Sequence, residues 1–349
     1  MSSPALVGAP YTARADNKVP LRTPTLWLGL AAILALALAL RLPAATTVLG
    51  LAAFGVLHNV LELRYVAGRF EAVLAGPFLV MLGALVTGVL VCRLLPPGPG
   101  PRAAEIGLSY VLLAVACGRV FGRGRRWWLA GSLAVLAAAA TASFAFPAYH
   151  FVVLTHLHNV VPLFFLWEWS RSMTPDARWP FRAVNLGWVI AVPGLILAGA
   201  FDPLLRAAPA ALAGFGGVAA FEPTRMAASY APPAVAAGEL GLRFLAVFAF
   251  MQTMHYVVWV AVLPRFAPDA AARFDRRVPV LRGRRAWVLG LALAAVLGVL
   301  FAVDYAQGRS LYAAVASYHA YLEFPVLLAL IFGGVSGATV IPAGKGDRR

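Results

Sequence analysis

Ten apolar runs divide this chain of 349 residues, at approximately 25–41, 46–63, 72–95, 103–121, 127–146, 148–169, 181–200, 239–263, 286–303 and 311–333. Crossing a bilayer as a helix takes roughly 17 to 25 residues, and every run meets that length. None alternates as a barrel strand would, and backbone polar groups in lipid must be satisfied internally, so the runs are helices. A mean hydropathy of +0.80, with 12% charged residues, overrides the two or three soluble domains that this length would otherwise suggest. The sequence therefore predicts an all-α, polytopic integral membrane bundle of about ten transmembrane helices.

Arginine and lysine fall unevenly between the runs. With the N-terminus inside, the inner segments hold 22 of the 29 basic residues, seven of them from Arg265 to Arg285. That asymmetry predicts an even number of spans, N-in and C-in, in the plasma membrane. It also accounts for the net charge of +15 without a nucleic-acid partner, because the cations do not lie on an amphipathic face interleaved with aromatics. Residues 1–24 read as a flexible cytoplasmic tail, 25–335 as a single transmembrane domain and 336–349 as a second cytoplasmic tail. Leu26 to Leu40 is similar to a signal h-region, but the topology needs it as an uncleaved first span. Within the domain, 264–285 is a basic cytoplasmic loop and 201–238 a long outer loop. The apolar middle of that outer loop, Ala210 to Phe221, reads equally as a re-entrant or interfacial segment and as a surface loop. Trp127, Trp128, Trp167, Trp169 and Trp179 sit near inner boundaries as expected of an aromatic belt. Cys92 and Cys117 lie in apolar runs with no CxxC spacing, which points to small core residues.

Histidine is the residue that composition does not explain. An ionisable side chain at the bilayer centre costs about 2.5 to 3.5 kcal/mol on insertion scales, yet His58, His156, His158, His255 and His319 fall on the second, sixth, eighth and tenth runs. Those four spans run in the same direction. Counted along straight helices, His255 and His58 lie towards the inner ends, and His156, His158 and His319 nearer the midplane. Helical spacing sets Glu62 beside His58 and Glu323 beside His319. The motif Leu57-His58-Asn59-Val60 recurs as Leu157-His158-Asn159-Val160, which favours His158 over His156, although either could serve. Pro162 leaves a carbonyl without its helical donor at His158. Imidazoles with carboxylates suit iron, in mononuclear or dinuclear form, and Glu62 and Glu323 could be ligands or could orient ligand histidines. His150 reads as interfacial, and Arg243, Asp304 and Arg309 as outer-end residues that snorkel or pair. Tyr256, Tyr318 and Tyr321 flank histidines and could pack or line a pocket.

In order along residues 46–333, this pattern resembles the membrane-bound Brp/Blh family of bacterial β-carotene dioxygenases. The first family signature is matched by His58-Asn59-Val60-Leu61-Glu62, with Asn59 where the family has glycine. Leu157-His158-Asn159-Val160, Met254-His255-Tyr256 and His319 to Glu323 match the later ones. The resemblance implies an all-helical membrane enzyme whose histidines hold a non-haem iron that uses O2 on a lipophilic substrate. Three functions follow from the residues and the resemblance together. The first is a non-haem iron oxidase or oxygenase for a carotenoid-like, isoprenoid-like or other hydrophobic metabolite, with an electron donor unspecified. The others are a b-type haem protein moving electrons and a proton-coupled transporter relaying protons through intramembrane His and Glu.

Overall fold

The computed structural model describes residues 23–71, 73–122, 124–207 and 223–332. Nearly all of the expected tail at 1–24, the tail at 336–349 and the stretch from Ala210 to Phe221 lie outside the described residues. Among those described the chain is all-α, without strands, and ten helices are long and apolar enough to cross a membrane. They are α1 (Thr23–Arg41), α2 (Pro43–Arg69), α3 (Gly76–Leu94), α4 (Pro99–Phe121), α5 (Arg126–Ala145), α6 (Pro147–Ser172), α7 (Pro175–Leu197), α8 (Glu239–Phe266), α9 (Arg284–Val303) and α10 (Tyr305–Phe332). The chain is thus a multi-pass membrane protein built as one helical bundle.

Proline punctuates it. Pro43, Pro99, Pro147 and Pro175 open their helices, where the missing N–H would have no partner anyway. Pro193 and Pro264 instead sit inside helices, and each follows a π-helical turn, Gly187–Ala191 in α7 and Val257–Val262 in α8. Widening the helix re-registers the carbonyls that a proline cannot serve. The His158 carbonyl is not left free by Pro162. The chain tightens there, and the Val161 N–H donates to it at 3.2 Å.

α2 and α8 form the centre: 61% and 78% of their most apolar stretches are buried, against none for α5 at the rim. α2 packs on α8, α9 and α10, α10 also packs on α3 and α4, and α5 leans on α4. α1 is part of the bundle, with Leu28, Ala35 and Ala39 fully buried against its neighbours α7 and α8. Trp127, Trp128 and Trp179 face outward as expected of belt residues. Trp169 corrects that reading: it lies one turn after Phe165 on the inward face of α6 and packs on Phe181 and Phe266.

Two glycines set the closest approaches to α2. At Gly290 of α9, a β-carbon would stand 2.7 Å from the Leu57 side chain and 3.2 Å from its Cα, so only glycine lets α9 lie against the turn that carries His58. At Gly68 a β-carbon would stand 2.0 Å from the carbonyl oxygen of Ala270. That contact docks the short helix Pro268–Arg277, which belongs to the basic loop, onto the end of α2. Arg64 grips Asp275 there with two hydrogen bonds of 2.8 and 2.6 Å. Burial pulls the Asp275 carboxyl up, but Arg64 and the Gly283 N–H outweigh it and hold the group below its ordinary range. Gly68→Ala is expected to lift this helix and cost about 1 to 3 kcal/mol, the usual penalty of overpacking. Faster tryptic cleavage at Arg273, Arg276 and Arg277 is the readout, and an unchanged rate would show that the contact does not hold the loop.

Candidate metal centre

α2, α6, α8 and α10 bring His58, His158, His255 and His319 to one point. One ring nitrogen from each lies within 4.8 Å of all the others. His58, His255 and His319 are almost fully buried, and His158 is partly so. The unequal depths expected from straight runs disappear because α2 and α8 continue past the boundaries that the hydropathy pattern suggests. α2 runs through Arg64 to Arg69 and α8 through Arg265 to Phe266. Arg64 does not end α2, since it pairs with Asp275, and Arg69, the last residue of the helix, pairs with Glu168. His58 and His255 then lie eleven residues before the C-terminal ends of their helices and His158 fourteen.

A layer of aromatics fixes how the faces turn. Tyr65 and Phe165 lie two turns beyond His58 and His158, and Trp259 one turn beyond His255, so each shares its histidine's face. The three rings meet edge to face, with centroids 5.7 Å apart for Tyr65 and Trp259 and 5.3 Å for Phe165 and Trp259. On the other side, Tyr256 covers the His58 ring at 4.5 Å.

Hydrogen bonds decide which nitrogen of two histidines carries the proton. His58 Nδ1 lies 2.9 Å from the Phe54 carbonyl, which can only accept, so Nδ1–H donates and Nε2 keeps its lone pair. His158 Nδ1–H donates to the Glu323 carboxylate at 2.6 Å, which leaves its Nε2 as a lone pair too. Both lone pairs face His319 Nε2, at 3.2 Å from His58 and 3.1 Å from His158. One N–H on His319 can satisfy one of them, not both. A single cation satisfies all three, and ligand nitrogens bonded to one ion at about 2.0 to 2.1 Å stand roughly 2.9 to 3.4 Å apart at right-angled to tetrahedral geometry.

The carboxylates do not serve the histidines on their own helices. Glu323 of α10 holds His158 of α6, and Glu62 of α2 faces His255 of α8, with 3.6 Å between Oε2 and Nε2. Glu62, His255 and Glu323 form a second group whose ligand atoms lie within 4.8 Å of one another. Both Glu62 oxygens, one Glu323 oxygen and both His255 nitrogens are buried without a hydrogen-bond partner among the described residues. Unpaired buried polar atoms are costly, and orphans gathered at one point are what a cation would bind. The residues present therefore fit a metal ion, in a tetrahistidine group that adjoins a Glu/His/Glu group.

His156 is not among them. Its Nε2–H donates to the Tyr230 carbonyl at 2.7 Å, and its ring meets Phe244 and Phe248 edge to face, so it pegs the short helix Pro223–Tyr230 to the bundle. His150 lies apart, 3.0 Å from Ser143. Arg243 pairs with Asp202 at 2.6 Å, as expected of a charge near a span end. Tyr318 shares a hydrogen bond with Thr87. Arg93 and Glu105, each inside an apolar run, form a further ion pair that the histidine pattern does not point to. Arg93 of α3 binds Glu105 of α4 at 2.6 Å and the Ala313 carbonyl of α10 at 2.6 Å, and the Tyr321 hydroxyl donates to Glu105 at 2.8 Å. This ties α3 and α4 to the helix that carries His319 and Glu323. The signal was available, since opposite charges inside adjacent apolar runs need each other. Comparison with protein-family models, curated proteins and solved structures returns no match, so the geometry alone supports a functional reading.

Proposed function

We propose that this protein is a membrane-bound, non-haem iron, O2-dependent oxidase or oxygenase acting on a lipophilic substrate, seated N-in and C-in in the plasma membrane. The observation that carries the proposal is the meeting of the His58, His158 and His319 Nε2 atoms at 3.1 and 3.2 Å with two lone pairs pre-set. His58, His158, His255 and His319 are the residues that would hold the ion. Glu323 fixes the tautomer and raises the basicity of His158, and Glu62, 3.6 Å from His255 Nε2 without a hydrogen bond to it, stands where it would complete the ligand set. Bound iron would supply the redox chemistry with O2 that these side chains lack. The chain itself positions the ligands, and the rings of Tyr256, Tyr65, Phe165 and Trp259 keep water from them.

A bare ion suits this packing better than haem b. His158 stands 4.5 Å from His255 and 4.8 Å from His319, centroid to centroid, and His58 4.8 Å from His319. Rings in contact leave no room for a macrocycle between axial partners. A proton-coupled transporter would draw on the same unpaired Glu62 and His255, and metal content separates the two readings. Detergent-purified protein is expected to carry iron and to lack a Soret band, and its O2 consumption with membrane-lipid extract is expected to vanish on His58→Ala. Full turnover by His58→Ala would overturn the proposal.

A further inference from the structure

A cavity of about 610 Å³ lies between α4, α5, α6 and α10, separate from the histidine cluster and sized for a small-molecule ligand. Its walls are almost wholly apolar. Leu113, Val153, Leu157 and Phe324 line it, and Val153 and Leu157 are 61% and 46% exposed, so the cavity opens sideways onto the surface that lipid would cover. Leu157 and Phe324 are the chain neighbours of His158 and Glu323, which sets the inner end of the cavity at the level of the metal centre. The outer end is polar. There the Tyr110 hydroxyl and Ser143 Oγ lie 2.8 Å apart, His150 Nδ1 is 3.0 Å from the same Ser143 Oγ, and His150 Nε2 is buried with no hydrogen-bond partner among the described residues. The polar trio is separated from His158 by eight residues of α6, about 12 Å of rise.

We infer that this cavity binds a neutral lipophile with a terminal hydroxyl or carbonyl oxygen, its oxygen held by His150 Nε2 within the Tyr110, Ser143 and His150 group and its chain lying along α6 towards the metal centre. The trio offers neutral hydrogen bonding and no exposed charge, which suits an uncharged oxygen function. An unpartnered imidazole nitrogen in an apolar wall gains what bulk lipid cannot give it. The inference deepens the proposed oxidase reading by naming the substrate class, but binding at this cavity needs none of the four clustered histidines.

The test is photolabelling in phosphatidylcholine nanodiscs with a hexadecanol probe that carries a mid-chain diazirine. Labelling is expected on peptides containing Leu113, Val153 and Leu157. Hexadecanol should compete and hexadecane should not. Ser143→Ala and His150→Ala are each expected to weaken competition about three- to tenfold, the loss of one hydrogen bond, and Ser143→Thr to restore it. Ala139→Trp, on the rim helix α5 that buries none of its residues, fills the cavity with little risk to the fold and should remove the labelling. His58→Ala should leave labelling intact, so a failed metal centre and a failed cavity give different results. Equal competition by hexadecane, labelling spread along the outer faces of α1 and α9, or labelling unchanged by Ala139→Trp would each overturn the inference.

Discussion

His319→Ala is expected to cost the protein its metal while leaving the bundle assembled. His319 Nε2 is the atom within reach of both the His58 and the His158 lone pairs, so its loss leaves those two facing a gap, with His255 the one histidine of the group remaining beside them. Removing an outer-shell partner of a metal ligand typically costs 10- to 100-fold in affinity, and loss of this ligand should exceed about 100-fold. The fold should tolerate it, because α10 is anchored elsewhere by Tyr321 to Glu105 and by the Ala313 carbonyl to Arg93. Metal per chain, read beside the helical circular dichroism of the same sample, checks both halves. A variant that keeps its full metal would show that the convergence of nitrogens is only a packing arrangement.

The second large effect is expected at Glu323, and it should be graded. Glu323→Gln keeps an oxygen that accepts from His158 Nδ1–H but removes the charge that makes the imidazole more basic, so metal affinity should fall about tenfold. Glu323→Ala removes the acceptor, frees His158 to rotate and release its tautomer, and should cost about 100-fold. Competition with a chelator of known affinity measures both. If Ala and Gln behave alike, the carboxylate does not act through His158. If Ala is harmless, the 2.6 Å contact has no part in the site.

Much of this was legible in the chain. The length and polarity of the apolar runs are properties of local sequence, and a bilayer turns them directly into spans, so all ten helices could be read. Histidine is so poorly suited to lipid that His58, His255 and His319 marked themselves. The Leu-His-Asn-Val repeat leans towards His158 but leaves His156 open, and it is the packing that brings His158 to the other three histidines and turns His156 to the Tyr230 carbonyl. What could not be read depends on rotation about helix axes. Glu62 and Glu323 sit one turn from His58 and His319, and helical spacing suggests same-helix partnership. The bundle instead turns each towards a histidine of a neighbouring helix, which only the packing of α2 on α8 and of α6 beside α10 decides. The helix ends at Arg69 and Phe266 were likewise hidden. Arginine looks like a boundary until a distant Asp275 or Glu168 is known to receive it. Trp169 shows the same limit, since a tryptophan near an interface faces lipid or core according to its angle alone.

Metal analysis of the wild-type chain, purified in detergent without chelator and again after anaerobic exposure to Fe(II), bears on all of this at once. About one or two equivalents of iron per chain, reduced to background in His319→Ala, is the expected result. Wild-type protein that is folded yet holds no transition metal under either condition would contradict the assignment of His58, His158, His255 and His319 as a metal centre.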